Sequence, residues 1–344
     1  MDNARPNISV IIPNFNRGVL LKETLDSLAQ QDYHSWEAII VDDGSADESE
    51  PIANSFVAKD PRFRFHRRDR LPAGAPVCRN IGISLAKGNY LMFLDSDDLL
   101  RPFTLSQRSE AVKTHPGFDF WVFPMLMFRD DPQQAKFLWN IDNGKPDLSR
   151  FLVLDAPWQT SGPLWLKESV VKIAGFTEGL ACWQDVDFHL KALAAGLKGT
   201  KLYGLRPDVF YRQHETGSVS QGEISSPAKL RSRKEIFERL TLSLLPHMTA
   251  ETRSGLKVLG GNIAVGASKT LNTEVSLSVI RRGKHHGVFS ASLALKLYLI
   301  QLFYLLRLNK IVSFDRKIQE FTKQYRQDSN IGKHPCIQSS ADGT

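Results

Sequence analysis

The chain has 344 residues and a formal net charge of +7, from 44 Lys and Arg against 37 Asp and Glu. That length can bury a large core, as one domain or two. Cys78, Cys182 and Cys336 lie far apart without Cys-x-x-Cys spacing, which argues against a disulfide framework and a thiolate zinc site. The first apolar segment begins at Ile8 without a secretory signal before it, so we expect a cytoplasmic catalytic domain.

Apolar runs that end in polar turns predict the strands of an open sheet. The runs at 8–12, 36–41 and 90–94 end in Pro13-Asn14-Phe15-Asn16, Asp42-Asp43-Gly44-Ser45 and Asp95-Ser96-Asp97-Asp98, respectively. Helical patterns at 18–31, 46–58, 75–87 and 101–114 alternate with these runs, which is typical of a parallel sheet flanked by helices. Ligands bind such sheets beyond the carboxyl ends of the strands, so we expect the acidic segments to line one cleft.

The segment at 95–98 carries three carboxylates directly after a buried strand. Such a concentration of negative charge at the edge of a sheet is unfavourable unless a cation or strong hydrogen-bond donors compensate it, and we expect a divalent metal there. Asp98 has an alternative interpretation, because an acidic residue just before the helix at 101 could simply interact with the start of that helix.

Seven segments resemble glycosyltransferase family 2 in their order and spacing over about residues 7–220. They are Pro13-Asn14-Phe15-Asn16, Asp42-Asp43-Gly44-Ser45, residues 75–82 with Arg79-Asn80, Asp95-Ser96-Asp97-Asp98, residues 175–178 with Gly175-Phe176, residues 184–187 with Gln184-Asp185, and residues 212–214 with Arg212 and His214. The resemblance implies a GT-A fold, an α/β architecture with a mostly parallel central sheet flanked by helices. A mainly helical C-terminal extension is expected to follow.

The family resemblance also implies an activity, namely the inverting transfer of a sugar from a nucleoside-diphosphate sugar to a hydroxyl group. We expect a UDP-linked donor and a glycan or lipid-linked acceptor in cell-surface polysaccharide synthesis. Mn²⁺ or Mg²⁺ would neutralise the leaving diphosphate. By the same resemblance, Asp97 and His214 would be the metal ligands, although a lone His is more often a structural or surface residue.

The resemblance assigns the donor site to residues at the ends of the predicted strands and on the helix at 75–87. The assigned residues are Pro13, Asn16, Asp42, Asp43, Arg79, Asp95 and Ser96. Asp43 is expected to contact the base, Arg79 to support the nucleotide, and Asp95 to approach the ribose or the metal. An ordinary turn at 42–45 and an exposed helical arginine at 79 are the corresponding structural alternatives. Arg212 is a further candidate for contact with the diphosphate.

The general base is expected on the acceptor side of the cleft. The resemblance indicates Asp185, at the start of a predicted helix, with Asp187 as the substitute candidate. Gln184 stands where the family commonly has Glu, which removes a charge that would raise the pKa of Asp185. An Asp in the first turn of a helix is also favourable for purely electrostatic reasons.

We divide the chain into residues 1–115 for the nucleotide-sugar half, 116–220 for the acceptor half, 221–327 for a basic helical extension and 328–344 for a disordered tail. Residues 1–225 have a charge balance of −4, from 25 Lys and Arg against 29 Asp and Glu, whereas 226–334 have +12, from 19 against 7. The apolar run 288–306 has basic flanks. It favours a helix lying on an anionic membrane surface, with a buried or dimerising helix and a true membrane span as alternatives.

Three other functions remain to be separated from the transferase. A catalytically silent relative, which binds sugar nucleotide or partners at the membrane, is suggested by Gln184. A nucleotidyltransferase would need a glycine-rich basic loop after the first strand, where residues 14–18 read Asn-Phe-Asn-Arg-Gly instead. We expect no nucleic-acid partner, since the basic residues accompany an aliphatic run and lack interleaved aromatic residues.

Overall fold

The computed structural model describes residues 6–214, 226–308, 316, 320, 323 and 333–336. The strands are β1 (Ile8–Asn14), β2 (Trp36–Asp42), β3 (Phe63–Arg67), β4 (Tyr90–Phe93), β5 (Leu99–Leu100), β6 (Phe120–Val122), β7 (Met125–Phe128), β8 (Phe137–Leu138), β9 (Pro163–Leu166), β10 (Gly199–Lys201), β11 (Val209–Arg212) and β12 (His334–Pro335). The helices are α1 (Gly18–Ala29), α2 (Ser49–Lys59), α3 (Ala75–Leu85), α4 (Thr104–Thr114), α5 (Asp147–Leu152), α6 (Lys167–Lys172), α7 (Gln184–Ala194), α8 (Pro227–Leu244), α9 (Ala250–Lys269), α10 (Thr273–His285) and α11 (Ala291–Leu305).

The main sheet has the strand order β10-β6-β9-β4-β1-β2-β3. Strands β4, β1, β2 and β3 are parallel, and β9 lies antiparallel between β4 and β6. The predicted α/β fold with a mostly parallel central sheet is confirmed. The sequence analysis did not identify β3 and β9, so the insertion of an antiparallel strand into the sheet was not predicted.

Both faces of the sheet are covered, which explains the nearly continuous apolar runs of its central strands. One face of β1 and β2 packs with Leu21, Leu25 and Leu28 of α1, while the other face packs with Val77 and Ile81 of α3. Gly82 of α3 lies so close to β1 that an added Cβ would be 2.3 Å from a methyl group of Ile11. Because β1, β2 and β4 are parallel, their carboxyl ends meet at one edge of the sheet. The N-terminal part of α3 lies beside that edge.

A second, smaller sheet with the order β12-β8-β7-β11-β5 lies next to this edge. Strand β5 directly follows the acidic segment 95–98, and β11 pairs with it antiparallel, Phe210 opposite Leu99. Because antiparallel partners run past each other, the residues after Phe210 lie beside the residues before Leu99. This register places Arg212 and His214 next to Asp97 and Asp98.

The C-terminal helices α8 to α11 join the core on the α3 side of the main sheet. Apolar residues of α5, α7, α8 and α9 belong to the same hydrophobic cluster as one face of β1, β2 and β4. Ser226, Thr249, Asn272 and Ser290 cap the four helices by accepting a hydrogen bond from a backbone N–H three residues ahead. The basic extension is therefore packed against the rest of the protein in its described residues.

Helix α11 covers much of the apolar run 288–306. Ala294, Leu297 and Tyr304 are buried on one face, whereas the opposite face exposes Leu295, Leu299, Leu302, Leu305 and Leu306, each 41–59% accessible. We call these five residues the leucine face. None of the helices described here combines the length and the apolar composition that crossing a membrane requires.

The predicted disordered tail, 328–344, lies mostly outside the described residues. Within it, His334 and Pro335 form β12 and pair with β8.

Candidate active site

Asp95 lies at the carboxyl end of the central strand β4, between a guanidinium and an amide. Arg79 Nη2 donates to Oδ1 at 2.6 Å and Gln159 Nε2 donates to Oδ2 at 2.8 Å. Arg79 is only 6% exposed, and its guanidinium also lies 5.1 Å from the centre of the Phe176 ring. The alternative of an exposed helical arginine is wrong, since α3 directs Arg79 inward toward the acidic segment.

One carboxylate oxygen of Asp97 contacts two side chains. His214 Nε2 lies 2.6 Å from Oδ2, and a guanidinium nitrogen of Arg17, the residue that precedes α1, pairs with the same oxygen. The carboxylate of Asp97 is 9% exposed. The predicted metal ligands Asp97 and His214 therefore lie in contact, although 117 residues separate them in the chain.

Asp98 is fully buried and has structural partners. Ser161 Oγ donates to Oδ2 at 2.7 Å and the backbone N–H of Arg212 donates to Oδ1 at 3.1 Å. Burial, and then the negative charges of Asp97 and Asp95, raise the pKa of Asp98 well above its usual range. Helix α4 begins only at Thr104, so the interpretation of Asp98 as a partner of that helix start is wrong; it links the segment 95–98 to β11.

The backbone of Ser161 is held by a buried ion pair. Arg108 donates to both oxygens of Asp208, at 2.8 and 2.9 Å, and the two side chains are inaccessible to solvent. Both terminal nitrogens of Arg108 also donate to the carbonyl of Ser161 at 3.2 Å. Arg108 thus fixes the backbone of the segment 159–161. From that segment, Gln159 donates to Asp95 and Ser161 donates to Asp98.

The two carboxylates of the turn at 42–45 have different hydrogen-bond partners. Asp42 accepts hydrogen bonds from the backbone N–H groups of Gly44 and Ser45 and from Asn14 Nδ2, so it shapes the turn itself. Asp43 is mostly buried, and Arg68 Nε donates to its Oδ1 at 2.5 Å. The structural alternative therefore describes Asp42, whereas Asp43 takes no part in these hydrogen bonds of the turn.

The remaining predicted donor-site residues shape the same edge. Pro13 is buried in β1 opposite Val41 of β2. Asn16 has a positive φ of 49°; its backbone N–H donates to Ser45 Oγ and its side chain accepts from the N–H of Ala46. Ser96 is buried between Asp95 and Asp97.

Helix α3 is fastened to the segment 175–178. Asn80 accepts from the backbone N–H of Phe176 and donates to its carbonyl, at 2.8 and 2.9 Å. Glu178 accepts from Asn80 and makes a two-bond ion pair with Arg70, 2.6 Å for each bond. The Arg-Asn pair of α3 thus performs two functions, with Arg79 holding Asp95 and Asn80 holding the segment 175–178.

Asp185 lies in the first turn of α7 and keeps part of its surface accessible. Burial of its carboxyl group raises its pKa, the charge of Arg79 opposes this, and the charge of Asp95 adds to it. Gln184 donates to the carbonyl of Leu180 at 2.8 Å. The pKa of Asp185 is thus raised without a neighbouring Glu at position 184.

Asp187, the substitute candidate for the base, belongs to a different environment. Its side chain is completely buried and pairs with Arg239 of α8. A carboxylate held in an ion pair inside the protein does not meet an acceptor in the cleft. The assignment of Asp187 as a substitute base is therefore wrong.

Arg212 contacts the acidic segment, α1 and β7. Its Nε donates to the carbonyl of Asp97 at 3.0 Å, its guanidinium pairs with Glu23 of α1, and it lies 4.6 Å from the centre of the Phe128 ring. Beside it, a cavity of about 340 Å³ is lined by Leu20, Arg129, Asp130, Arg212, Gln213 and His214.

The donor set at Asp97 is suited to a hard divalent cation that keeps other ligands. Over residues 6–214 and 226–308 and the few described positions beyond them, no group of three or more His, Cys, Asp or Glu side chains is arranged to hold a metal. Asp97 and His214 offer one oxygen and one nitrogen that already lie 2.6 Å apart. Mg²⁺ and Mn²⁺ sites of nucleotide enzymes typically take one or two protein ligands and complete the shell with phosphate oxygens and water. The pair fits that role.

Arg17, Gln159, Ser161 and Arg239 touch the carboxylates of this site and were missed by the sequence analysis. Each is a polar residue on a helix or in a loop, with no distinctive spacing in the chain. Only the acidic residues that they contact stand out in the sequence, and burial of those residues requires such partners. Trp158 and Trp165 are core residues with 2% and 0% exposure, which leaves neither ring available to stack on a sugar.

Part of the sequence is similar to known glycosyltransferases. Residues 9–146 match the sequence profile described as Glycosyl transferase family 2. Glycosyltransferase GlyG of Streptococcus pneumoniae is 41% identical over 95 residues, 27% of this chain and 31% of that protein. The GalNAc(5)-diNAcBac-PP-undecaprenol beta-1,3-glucosyltransferase of Campylobacter jejuni is 35% identical over 101 residues, 29% of this chain and 33% of that protein. The matches span 26–48% of the length of the first curated relatives.

Solved structures show the same fold at low identity. S. aureus TarS 1-349 in complex with UDP superposes with a TM-score of 0.64 at 19% identity, over 86% of this chain and 87% of that chain. The same protein in complex with UDP-GlcNAc gives 0.56 at 19% identity, over 82% and 90%. The expected GT-A fold is therefore confirmed.

The attachment of α3 to the segment 175–178 predicts unequal effects for two glycine substitutions. Gly175 has φ +56°, and an added Cβ would lie 2.4 Å from Oδ1 of Asn80, whereas Gly179 has φ +82° and open space. We expect Gly175→Ala to lower the free energy of unfolding by about 2–4 kcal/mol, since both backbone conformation and the Asn80 hydrogen bonds are affected. Gly179→Ala should cost only the conformational part, about 1–2 kcal/mol. Equal losses in equilibrium urea unfolding would contradict the Asn80 contact.

Proposed function

Because residues 9–146 belong to glycosyltransferase family 2, we propose that the chain transfers a sugar, with inversion, from a nucleoside-diphosphate sugar to a hydroxyl group. The expected donor is UDP-linked, and the acceptor is a glycan or lipid-linked glycan of the cell surface. One observation carries the proposal: two separate pairs, Arg79 with Asp95 and His214 with Asp97, meet on the acidic segment 95–98, and the charges of Arg79 and Asp95 act on the pKa of Asp185. The complex of TarS with UDP-GlcNAc supports the choice of a UDP-linked donor. The name of the Campylobacter transferase, which includes a PP-undecaprenol glycan, supports the choice of a lipid-linked acceptor.

The donor half of the site would hold the nucleotide at the edge shared by β1, β2 and β4. Asp43 would accept a hydrogen bond from an N–H of the base on Oδ2, since Arg68 Nε donates to its Oδ1. Asp42, Asn16 and Pro13 keep the turn in shape for this contact. Asp95, held by Arg79 and Gln159, would face the ribose.

Mn²⁺ or Mg²⁺ would be held by Asp97 and His214, and when bound it supplies positive charge for the departing diphosphate. Before it binds, Arg17 compensates the charge of Asp97, and His214 lies within hydrogen-bond distance of the same oxygen. Arg17 thus lies where a cation is needed. Once the metal has become the partner of Asp97, the long side chain of Arg17 would be free to contact the diphosphate.

The acceptor hydroxyl would be activated by Asp185. As the acceptor oxygen forms its bond to the anomeric carbon, its proton passes to a carboxylate oxygen of Asp185, and the bond between the anomeric carbon and the diphosphate oxygen breaks. A base works best with a pKa near the working pH, and the raised pKa of Asp185 moves it in that direction.

Nucleotide binding and turnover separate these roles. We expect the chain to bind one member of a panel of UDP-, GDP- and dTDP-sugars in the presence of Mn²⁺, as measured by calorimetry. Asp97→Ala should abolish this binding, whereas Asp185→Ala should keep it and reduce turnover about 10²–10⁴-fold, the usual contribution of a general base. Asp26→Ala, on the exposed surface of α1, is the control. Folded protein that binds no sugar nucleotide would reject the transferase, and binding without turnover would favour a silent relative.

The contact of Arg17 with Asp97 predicts a competition with the metal. Arg17→Met should tighten Mn²⁺ binding in the absence of nucleotide about fivefold, because an ion pair contributing ~1 kcal/mol no longer has to be broken. Electron paramagnetic resonance of free Mn²⁺ measures this affinity directly. Lys22→Met removes an exposed cation from α1, the helix that Arg17 precedes, and should leave the Mn²⁺ affinity unchanged. Equal Mn²⁺ affinities of Arg17→Met and Lys22→Met would show that Arg17 does not compete.

The leucine face is proposed to attach the protein to the anionic inner surface of the cell membrane, where lipid-linked acceptors are found. Exposed basic residues lie on α10, on α11 and just after α11 in the chain, namely Arg281, Arg282, Lys284, Lys296 and Arg307. Apolar side chains that enter the interface and cations near anionic headgroups act in the same direction.

Vesicle binding tests this attachment. The native chain should sediment with vesicles containing phosphatidylglycerol and less with pure phosphatidylcholine. Leu299→Ser/Leu302→Ser should weaken binding about tenfold or more, since two apolar side chains are lost from the interface. Leu242→Ser/Leu245→Ser, exposed leucines elsewhere, should bind as the native chain does. A native chain that ignores vesicles but forms a dimer, which the leucine-face variant dissociates, would instead establish the dimerising alternative.

A further inference from the structure

Helix α8 lies against the short segment that leads into α7 and Asp185. Ser232 Oγ accepts a hydrogen bond from the backbone N–H of Ala181 at 2.9 Å, and the thiol of Cys182 donates to the carbonyl of Lys229 at 3.5 Å. The guanidinium of Arg233 lies 4.6 Å from the centre of the Trp183 ring. Three consecutive residues of the segment therefore contact three residues on one side of α8.

The segment ends in an unfavourable backbone conformation. Trp183 is the residue before α7 and has φ 56° and ψ 31°, in the left-handed region that bulky residues rarely adopt. Such a conformation persists only where its surroundings impose it. Here the contacts of α8 with residues 181–183 supply that constraint, and the next two residues are Gln184 and Asp185.

A second connection from α8 fixes the first turn of α7 from behind. Asp187 is completely buried and pairs with Arg239. Residues two apart on an α-helix point about 200° away from each other, so a carboxylate anchored at 187 sets the direction of the side chain at 185. The same pair that removes Asp187 from the cleft thereby orients Asp185 toward it.

We propose that Arg233 and Arg239 of α8 are positioning residues for Asp185, so that the C-terminal helices are part of the catalytic machinery. This inference rests on the proposed function, because it takes Asp185 as the base. It concerns a part of the chain outside residues 9–146, to which the family match is confined. An isolated domain without α8 would keep the donor-site residues but lose the support of its base.

Four variants test the proposal: Arg233→Gln, Arg239→Met, Arg239→Lys and, as the matched control, Arg231→Met, which removes an exposed cation from the same helix. Turnover is measured with the sugar nucleotide that the native chain consumes, and donor-site integrity with UDP and Mn²⁺ by calorimetry. We expect Arg239→Met and Arg233→Gln to lower kcat about tenfold or more while the Kd for UDP stays within about twofold, since misplacement of a catalytic group affects the reaction step. Arg239→Lys should recover most of the activity.

Two further measurements distinguish positioning from mere loss of folded protein. Hydrogen exchange of the peptide covering 181–188 should accelerate in Arg239→Met and Arg233→Gln, with the strands of the main sheet unchanged. The acid limb of the pH profile of kcat should also move in these variants, because Asp185 changes its position relative to the charges that act on its pKa. Those charges are Arg79 of α3 and Asp95 after β4, and neither is altered by the substitutions. If Arg239→Met does not fold, Asp187→Asn/Arg239→Gln removes both charges together and leaves no buried unpaired carboxylate.

The outcomes separate this inference from the proposed function. An active native chain whose folded α8 variants keep the kcat and the pH profile of Arg231→Met would overturn the role of α8 and leave the transferase intact. A native chain that consumes no sugar nucleotide would reject the proposed function, and the positioning role would fall with it.

Discussion

Three carboxylates at the end of a buried strand are the constraint on which the rest of the site depends. Each is compensated differently: Asp95 by the guanidinium of Arg79 and an amide, Asp97 by Arg17 and His214, and Asp98 by a hydroxyl and a backbone N–H. Because like charges so close together disfavour ionisation, the two partly accessible carboxylates have the cationic partners, while the fully buried Asp98 has a raised pKa. The segment is therefore ready for a cation without being unstable in its absence.

Compensation on this scale requires parts of the chain that lie far apart. The partners come from the start of α1, from α3, from the segment 159–161 and from the end of β11. The short pairing of β5 with β11 brings the last of these to the acidic segment and thereby joins the two sheets. An unpaired buried charge is costly, so the three carboxylates need these partners to be in place. The fold of the N-terminal part brings the partners together, and their contacts with the carboxylates in turn stabilise that fold.

Helix α7 connects this donor-side arrangement to the C-terminal helices. Its first turn carries Asp185 on the cleft side and Asp187 on the α8 side, so one turn of helix faces two environments. The apolar cluster that contains α3, α7, α8 and α9 is continuous with the core under the main sheet. Of these C-terminal helices, α8 is thus packed directly against the helix that carries the candidate base.

The sequence by itself determined the strands β1, β2 and β4, the acidic turns that follow two of them, and the helices between them. It did so because strands buried on both faces need unbroken apolar runs and amphipathic helices need a repeat near 3.6 residues. It also indicated Asp97 with His214, and Asp185, through their resemblance to a family. By contrast, β3 and β9 are short strands whose place depends on their neighbours, and neither stands out from its own residues.

Tertiary structure alone decided which partner each acidic residue received. Arg17, Ser161 and Arg239 reach their carboxylates across 80, 63 and 52 residues of chain, distances over which no local pattern operates. Asp185 and Asp187 have the same residue type and almost the same position, yet packing of α8 buries one and leaves the other at the cleft. In α11, which is apolar nearly all round, only contact with the neighbouring helices selected the buried face, because hydrophobic burial has no direction of its own.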